Sequence, residues 1–305
     1  MTQKRKSVRK ILLVPDVPGW AFDHHARDMM AMTSNRVQLD LKYQNQVKME
    51  DINRYDIIYP MAVIMAHSLY HKGIPLNKLA AGITSERQFR FFLNKNHQFT
   101  DKFSTFFKGL RAVNTASDEF VERYSHYRPI HKTRVGVNTH LFKPTTHRKE
   151  NDHFTIGWVG SSKENELKGY KIVEKALTGL PVNLEIRTKT DHFVSRKEMI
   201  KFYQRLDCFI CASRSEHIPL PVLEAASCGV PIISTKVGIV PELIHSYKNG
   251  IIVDRNPSAF RKAVQFLMHN HEERKRMAHR IRETIENNWS WEVCWKEWEE
   301  FFLTI

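Results

Sequence analysis

Short apolar runs alternate with helix-patterned stretches along the whole of this 305-residue chain. Lys10 to Val14, Val37 to Tyr43, Tyr55 to Met61, Leu79 to Thr84 and Leu110 to Asn114 read as strands in the first half. Phe154 to Val159, Val182 to Arg187 and Cys208 to Ser213 continue the series, and the alternation runs on through Ile232, Glu242, Ile251 and Ala259. Repeated strand-then-helix units argue for an α/β fold with parallel sheets covered on both faces. The opening unit is Lys10 to Val14, the loop Pro15-Asp16-Val17-Pro18-Gly19-Trp20, and a helix over Ala21 to Met32 with Asp23 as its cap. Ligands in such folds lie at the carboxyl ends of the strands, and Gly19 is a candidate for letting backbone approach one.

The length predicts two domains, each with its own core. The polar run Thr145 to Asp152 reads as the linker, giving domains over 1–148 and 149–288 and a terminal helix over 289–305. No segment has the long uncharged apolar run of a membrane span. After the basic start, the apolar run Ile11 to Val14 is too short for the core of a signal peptide, so a cytoplasmic location is expected. Cys208 and Cys211 lie three apart on a strand and point to opposite faces, so they read as core thiols and not as a metal pair. His67 and His71 lack the glutamate of a helical zinc motif, and no metal is expected there. The net charge of +14 points to an acidic partner: nucleic acid, an anionic membrane surface or a polyanionic acceptor.

Several helix boundaries are written in capping chemistry. Ser195-Arg196-Lys197-Glu198 is a capping box opening a helix to Leu206. Ser117 caps a helix through Tyr124, and Asn256-Pro257 opens one ending near Asn270. Tyr170 to Leu177 and Glu272 to Asn287 are further helices. The phenylalanine-rich stretch Phe89 to Phe107, interleaved with Arg90, Lys95 and Lys102, reads as helices laid on the sheet, with a base- or lipid-binding face as the alternative. Trp289, Trp291, Trp295 and Trp298 lie at spacings of two, four and three, so at least three share one helical face.

The densest chemistry lies in Ser215-Glu216-His217-Ile218-Pro219-Leu220-Pro221-Val222-Leu223-Glu224, a loop running into a helix that Gly229 and Pro231 stop. Glu224 sits among apolar neighbours and is expected to face a cleft, since a buried unpaired charge is costly. Ionised carboxylates accept hydrogen bonds, so Glu216 and Glu224 are suited to holding the hydroxyls of a ribose or a hexose. The amides of Leu220 and Val222 are candidates to face an anion.

This stretch resembles the signature of two glutamates separated by seven residues in retaining glycosyltransferases of family 4, which have the GT-B fold. The resemblance continues through Gly229 to Thr235, Val240 to Ile244 and Asn249 to Val253. It implies two Rossmann-like domains facing a cleft, with a terminal helix crossing back to the first domain and the tryptophans as an interdomain staple. It implies transfer of a sugar from a UDP- or GDP-type nucleotide-sugar to an acceptor hydroxyl with retained configuration, and no required cofactor beyond that donor. Glu216 then lies by the transferred sugar and Glu224 holds the ribose. Lys168, with Lys163 near the position Ser162 where the family carries arginine, faces the diphosphate. His217, Ile218, Pro219 and Leu220 adjoin the donor, and the base packs near Arg187, Val194 and Met199. Here His217 stands where the family has glycine, and Asn138 where aspartate is common. Cell-surface polysaccharide or glycolipid synthesis fits such an enzyme, working in the cytoplasm with peripheral contact at the inner membrane face. The alternatives are a transferase acting on modified DNA and a non-catalytic nucleic-acid-binding protein of the same fold.

Overall fold

The computed structural model describes residues 8–32, 34–95, 98–146, 151–160, 165–188 and 194–305. The chain forms two compact units, Met1–Gly136 together with Cys294–Ile305, and Val137–Val293.

In the first unit β1 (Arg9–Val14), α1 (Ala21–Met30), β2 (Val37–Leu41), α2 (Asp51–Arg54), β3 (Ile57–Pro60) and α3 (Val63–His71) are followed by β4 (Ala80–Ile83), α4 (Asp101–Gly109), β5 (Ala112–Thr115), α5 (Asp118–Tyr124) and β6 (His131–Lys132). Two runs of parallel strands, β2-β1-β3 and β4-β5-β6, are joined by a parallel bridge between Ile58 and Leu79. Ile11 to Val14 are fully buried in succession. A strand covered on both faces requires such a continuous apolar run where a half-exposed strand alternates. Phe89, Phe92, Phe103, Phe106 and Phe107 are buried in this unit's core. They fill space beneath α4 and are not exposed platforms for a base or a lipid.

The second unit contains β7 (Phe154–Gly160), α6 (Asn165–Lys168), α7 (Tyr170–Leu177), β8 (Val182–Thr188), α8 (Arg196–Tyr203), β9 (Cys208–Cys211), α9 (Leu220–Ser227), β10 (Ile232–Ser234), α10 (Val240–Leu243), β11 (Ile251–Ile252), α11 (Pro257–His269) and α12 (His271–Asn288). The last helix, α13 (Trp291–Thr304), begins in this unit, and from Cys294 onward it belongs to the first. The sheet is parallel throughout, in the order β11-β10-β9-β7-β8. From β7 the chain moves out to β8 and returns to β9 on the opposite side. The crevice between the carboxyl ends of β7 and β9 is therefore the switch point at which ligands of open parallel sheets bind.

The division between the units falls ahead of the polar run expected to be the linker. Val137 donates its amide to Trp289 O at 2.8 Å, and Trp291 returns an amide to Val137 O at 3.3 Å. Phe142 is buried, and its carbonyl accepts from Ser227 Oγ (2.6 Å) and Arg282 Nη1 (2.8 Å). These partners tie residues 137–142 to α9, α12 and the start of the tryptophan segment. Arg282 also donates to Thr139 O at 3.1 Å and Ser227 O at 2.5 Å. Arg282→Ala is expected to lower stability by about 2–4 kcal/mol, because Thr139 O and Ser227 O lose the guanidinium together and Phe142 O keeps just its bond from Ser227 Oγ among those described. The check is a denaturant melt, in which an unchanged midpoint would reject this bracing role.

Candidate functional site

The site is built where β9 leaves the sheet. Ser213 to Pro219 form a loop pinned from the turn after β10: Thr235 Oγ1 donates to Ser213 O at 2.7 Å and Ile239 N to His217 O at 3.1 Å. Gly238, at φ +48°, makes that contact close, for a Cβ there would lie 2.1 Å from His217 O. Helix α9 then starts at Leu220, with Pro221 in its first turn, where a missing N–H costs no helical bond.

Lys168 reaches the same place from α6. Gly169 follows it at φ +73°, and a Cβ there would lie 2.2 Å from Ala212 O, so the end of α6 is packed directly on the end of β9. Trp158 Nε1 donates to Lys168 O at 3.3 Å and Arg214 N to Leu167 O at 2.8 Å. Lys168 Nζ thereby stands 2.5 Å from Glu216 Oε1, which also accepts from Ser213 Oγ at 2.7 Å. Both side chains of the ion pair are largely shielded from solvent, which strengthens the pair relative to one at the surface. Among the described residues no donor is seated on Glu216 Oε2, which leaves it available to a ligand hydroxyl.

Lys168, Glu216, Ser213 and Trp158 line a cavity of about 220 Å³, with Ile218, Pro219 and Leu220 among its other lining residues. Ligand sites commonly run from about 300 to 1,000 Å³, so the cavity matches part of a ligand, such as a sugar ring or a phosphate. Glu224 lies further along α9, partly buried, and its Oε2 accepts from Tyr203 Oη at 2.8 Å. Burial, and then the neighbouring Glu224, push the Tyr203 phenol well above its usual range, so it remains a donor. Neither the Tyr203 nor the Ser213 contact was legible in the sequence. The first joins residues 21 positions apart, and the second depends on how the loop turns.

Several of the candidate residues lie in other contacts. The Leu220 and Val222 amides are not turned to an anion: they donate to Ile218 O (2.9 Å) and Pro219 O (2.8 Å) as the loop tightens into the helix. His217 is buried within the loop and, like Glu224, does not line this cavity. Arg187 is held over the Phe202 ring at 4.7 Å and lies near Glu185, and neither it nor the half-buried Val194 lines the cavity. Gly19, in the first unit, has φ +75° and donates its amide to Asp23 Oδ2 at 2.8 Å; Asp23 is thus within the first turn of α1, whose cap position is Trp20. Ser162 and Lys163 lie outside the described residues. The Nε2 atoms of His67 and His71 are 3.0 Å apart, and among the described residues no group of three or more metal-ligating side chains converges. Cys208 and Cys211 are buried free thiols.

His217 gives the site's surroundings an acid sensitivity. Burial lowers its imidazole to about 3, against about 6.5 in an unfolded chain. Between those values the unfolded chain carries the extra proton. Stability is therefore complete above pH ~6.5 and is lost as pH falls towards 3. His217→Gln is expected to flatten the acid limb of stability against pH by up to about 1.4 kcal/mol per pH unit. Equal slopes for the variant and the parent between pH 6 and 4 would contradict this.

Residues 168–284 match the family model described as glycosyl transferases group 1, a span holding Lys168, Glu216 and Glu224. That match lies within the second unit, and the chain has the GT-B fold of two Rossmann-like units. Its fold aligns with sucrose-phosphate synthase from Thermosynechococcus elongatus over 97% of this chain and 98% of that one, with a TM-score of 0.75 and 12% identity. It aligns with HepE from Anabaena in complex with UDP over 97% of this chain and 100% of the other, with a TM-score of 0.71 and 13% identity. The capsular polysaccharide biosynthesis glycosyltransferase CapM of Staphylococcus aureus is 24% identical over 183 residues, 52% of this chain and 48% of that protein. The chain spans about half or less of the length of the first curated relatives it matches.

Proposed function

We propose that this chain is a retaining glycosyltransferase that moves a sugar from a UDP- or GDP-sugar to an acceptor hydroxyl in the synthesis of a cell-surface polysaccharide or glycolipid. The observation that carries the reading is the Lys168–Glu216 pair, 2.5 Å apart in a cavity at the switch point of the second unit. A carboxylate beside a lysine suits a donor with a polyol at one end and a diphosphate next to it. As the glycosidic bond breaks, negative charge grows on the leaving diphosphate, and Lys168 is placed to neutralise it. Glu216 Oε2 holds a hydroxyl of the transferred sugar, and Glu224, oriented by Tyr203, holds the ribose. The leaving phosphate accepts the proton of the attacking hydroxyl, so the reaction calls for no protein base.

The UDP and UDP-glucose complexes of HepE favour a uridine donor, and the name of CapM favours a polysaccharide acceptor. A panel of UDP- and GDP-sugars screened by thermal shift is expected to yield one that raises Tm. Incubating it with the enzyme should then release the nucleoside diphosphate, and the product should keep the anomeric configuration of the donor. A panel with no stabilising member and no nucleotide release would reject the reading. The charge of +14 makes an acidic acceptor part of the same proposal. Binding to anionic vesicles without salt-sensitive binding to duplex DNA would favour a lipid-linked acceptor over nucleic acid.

A further inference from the structure

We infer that Arg255 is a positioning residue for transfer: its guanidinium clamps the end of β9 to α6 and so sets the distance between Glu216 and Lys168. This inference rests on the proposed transferase reading of that site. Arg255 follows β11, the edge strand, and reaches back along the carboxyl edge of the sheet. Its Nε donates to Ala212 O at 2.9 Å, and its Nη2 donates to Glu166 O. Ala212 is the residue after β9, where the chain turns towards Ser213 and Glu216. Glu166 is in α6, two residues before Lys168. One side chain from a third element thus bonds the backbone of both arms of the pair.

The clamp acts where the two arms are in closest contact, since Ala212 O is also the atom nearest to a Cβ at Gly169. A helix of four residues cannot hold its own carbonyls in place by internal bonds. α6 therefore takes its position from outside, through Arg255 at Glu166 O, Arg214 N at Leu167 O and Trp158 Nε1 at Lys168 O. Only Arg255 among these three joins α6 to the strand end through a side chain borrowed from a different loop. Arg255 does not line the cavity, so its effect passes through Lys168 and Glu216. Two carbonyls on separate segments need a rigid fork of donors. A lysine brings a single point charge and can satisfy one of them at a time.

The test compares parent, Arg255→Ala and Arg255→Lys by amide hydrogen exchange without ligand and by steady-state kinetics with the donor found in the thermal-shift panel. Faster exchange confined to residues 165–170 and 212–216 is expected in both variants. A fall in kcat of tenfold or more is expected in both, with donor KM within threefold of the parent. Exchange unchanged in Arg255→Ala would overturn the clamp whether or not turnover is found. Full recovery of kcat in Arg255→Lys would also overturn it, because it would assign the residue a charge role that lysine can fill. Faster exchange with kcat within twofold of the parent would overturn its bearing on transfer. A parent that turns over no donor would reject the transferase reading instead, and the exchange data would still decide the clamp.

Discussion

Lys168→Ala is expected to lower donor-dependent turnover about a hundredfold, the scale on which removal of one preorganised charge at a reacting centre is felt. Two effects add. The leaving diphosphate loses its cation, and Glu216, left among the described residues with Ser213 Oγ as its donor, becomes a poorly compensated carboxylate facing an anionic donor. The double variant Lys168→Ala/Glu216→Gln should therefore bind donor better than Lys168→Ala alone, while remaining slow. Lys168→Arg should recover part of the rate, since the charge returns but a planar fork replaces a compact ammonium seated 2.5 Å from its partner. Comparing kcat and KM across these variants decides the matter, and a Lys168→Ala enzyme within twofold of the parent would remove lysine from the mechanism.

Gly169→Ala is expected to be nearly as damaging, through structure. The backbone at φ +73° costs a non-glycine residue about 1–2 kcal/mol, and the new Cβ would lie 2.2 Å from Ala212 O, a backbone atom that cannot swing aside. Either α6 or the end of β9 must move, so stability and the Lys168–Glu216 geometry are lost together, with a total cost of at least about 3 kcal/mol. Gly179→Ala is the control. That glycine has nearly the same φ, +74°, with nothing within 4 Å of an added Cβ, so only the backbone cost applies. Similar melting temperatures for the two variants would show that the close approach at Gly169 does not matter.

Local signals were read from the sequence where the physics is local. Tyr170–Leu177 forms the helix its apolar spacing predicts, Ser195 makes the capping box with Glu198, and Asn256 caps α11 through the Ala259 amide at 2.9 Å. The parallel alternation was legible because strands buried on both faces must be apolar without interruption. Lys168 and Glu216 were found by their resemblance to a known pattern, and the structure brings them together. Contacts set by tertiary placement were out of reach. Nothing near Arg255 in sequence says that it meets Ala212 and Glu166, 43 and 89 positions away. The reading of the Leu220 and Val222 amides as anion-facing failed because turns consume backbone donors internally, and a one-dimensional pattern does not show which are already taken.

The ion pair of the resting protein has a consequence for selectivity. With its ammonium already engaged by a carboxylate, the pocket presents little net positive potential to a neutral visitor, and a free sugar gains nothing by parting the two groups. An incoming pyrophosphate offers the ammonium a more highly charged partner and frees Glu216 Oε1 of the lysine, adding an acceptor beside the open Oε2. Recognition of the phosphate end and of the carbohydrate end would then be one coupled event, and fragments carrying only one end should bind far more weakly than the sum of their contacts suggests.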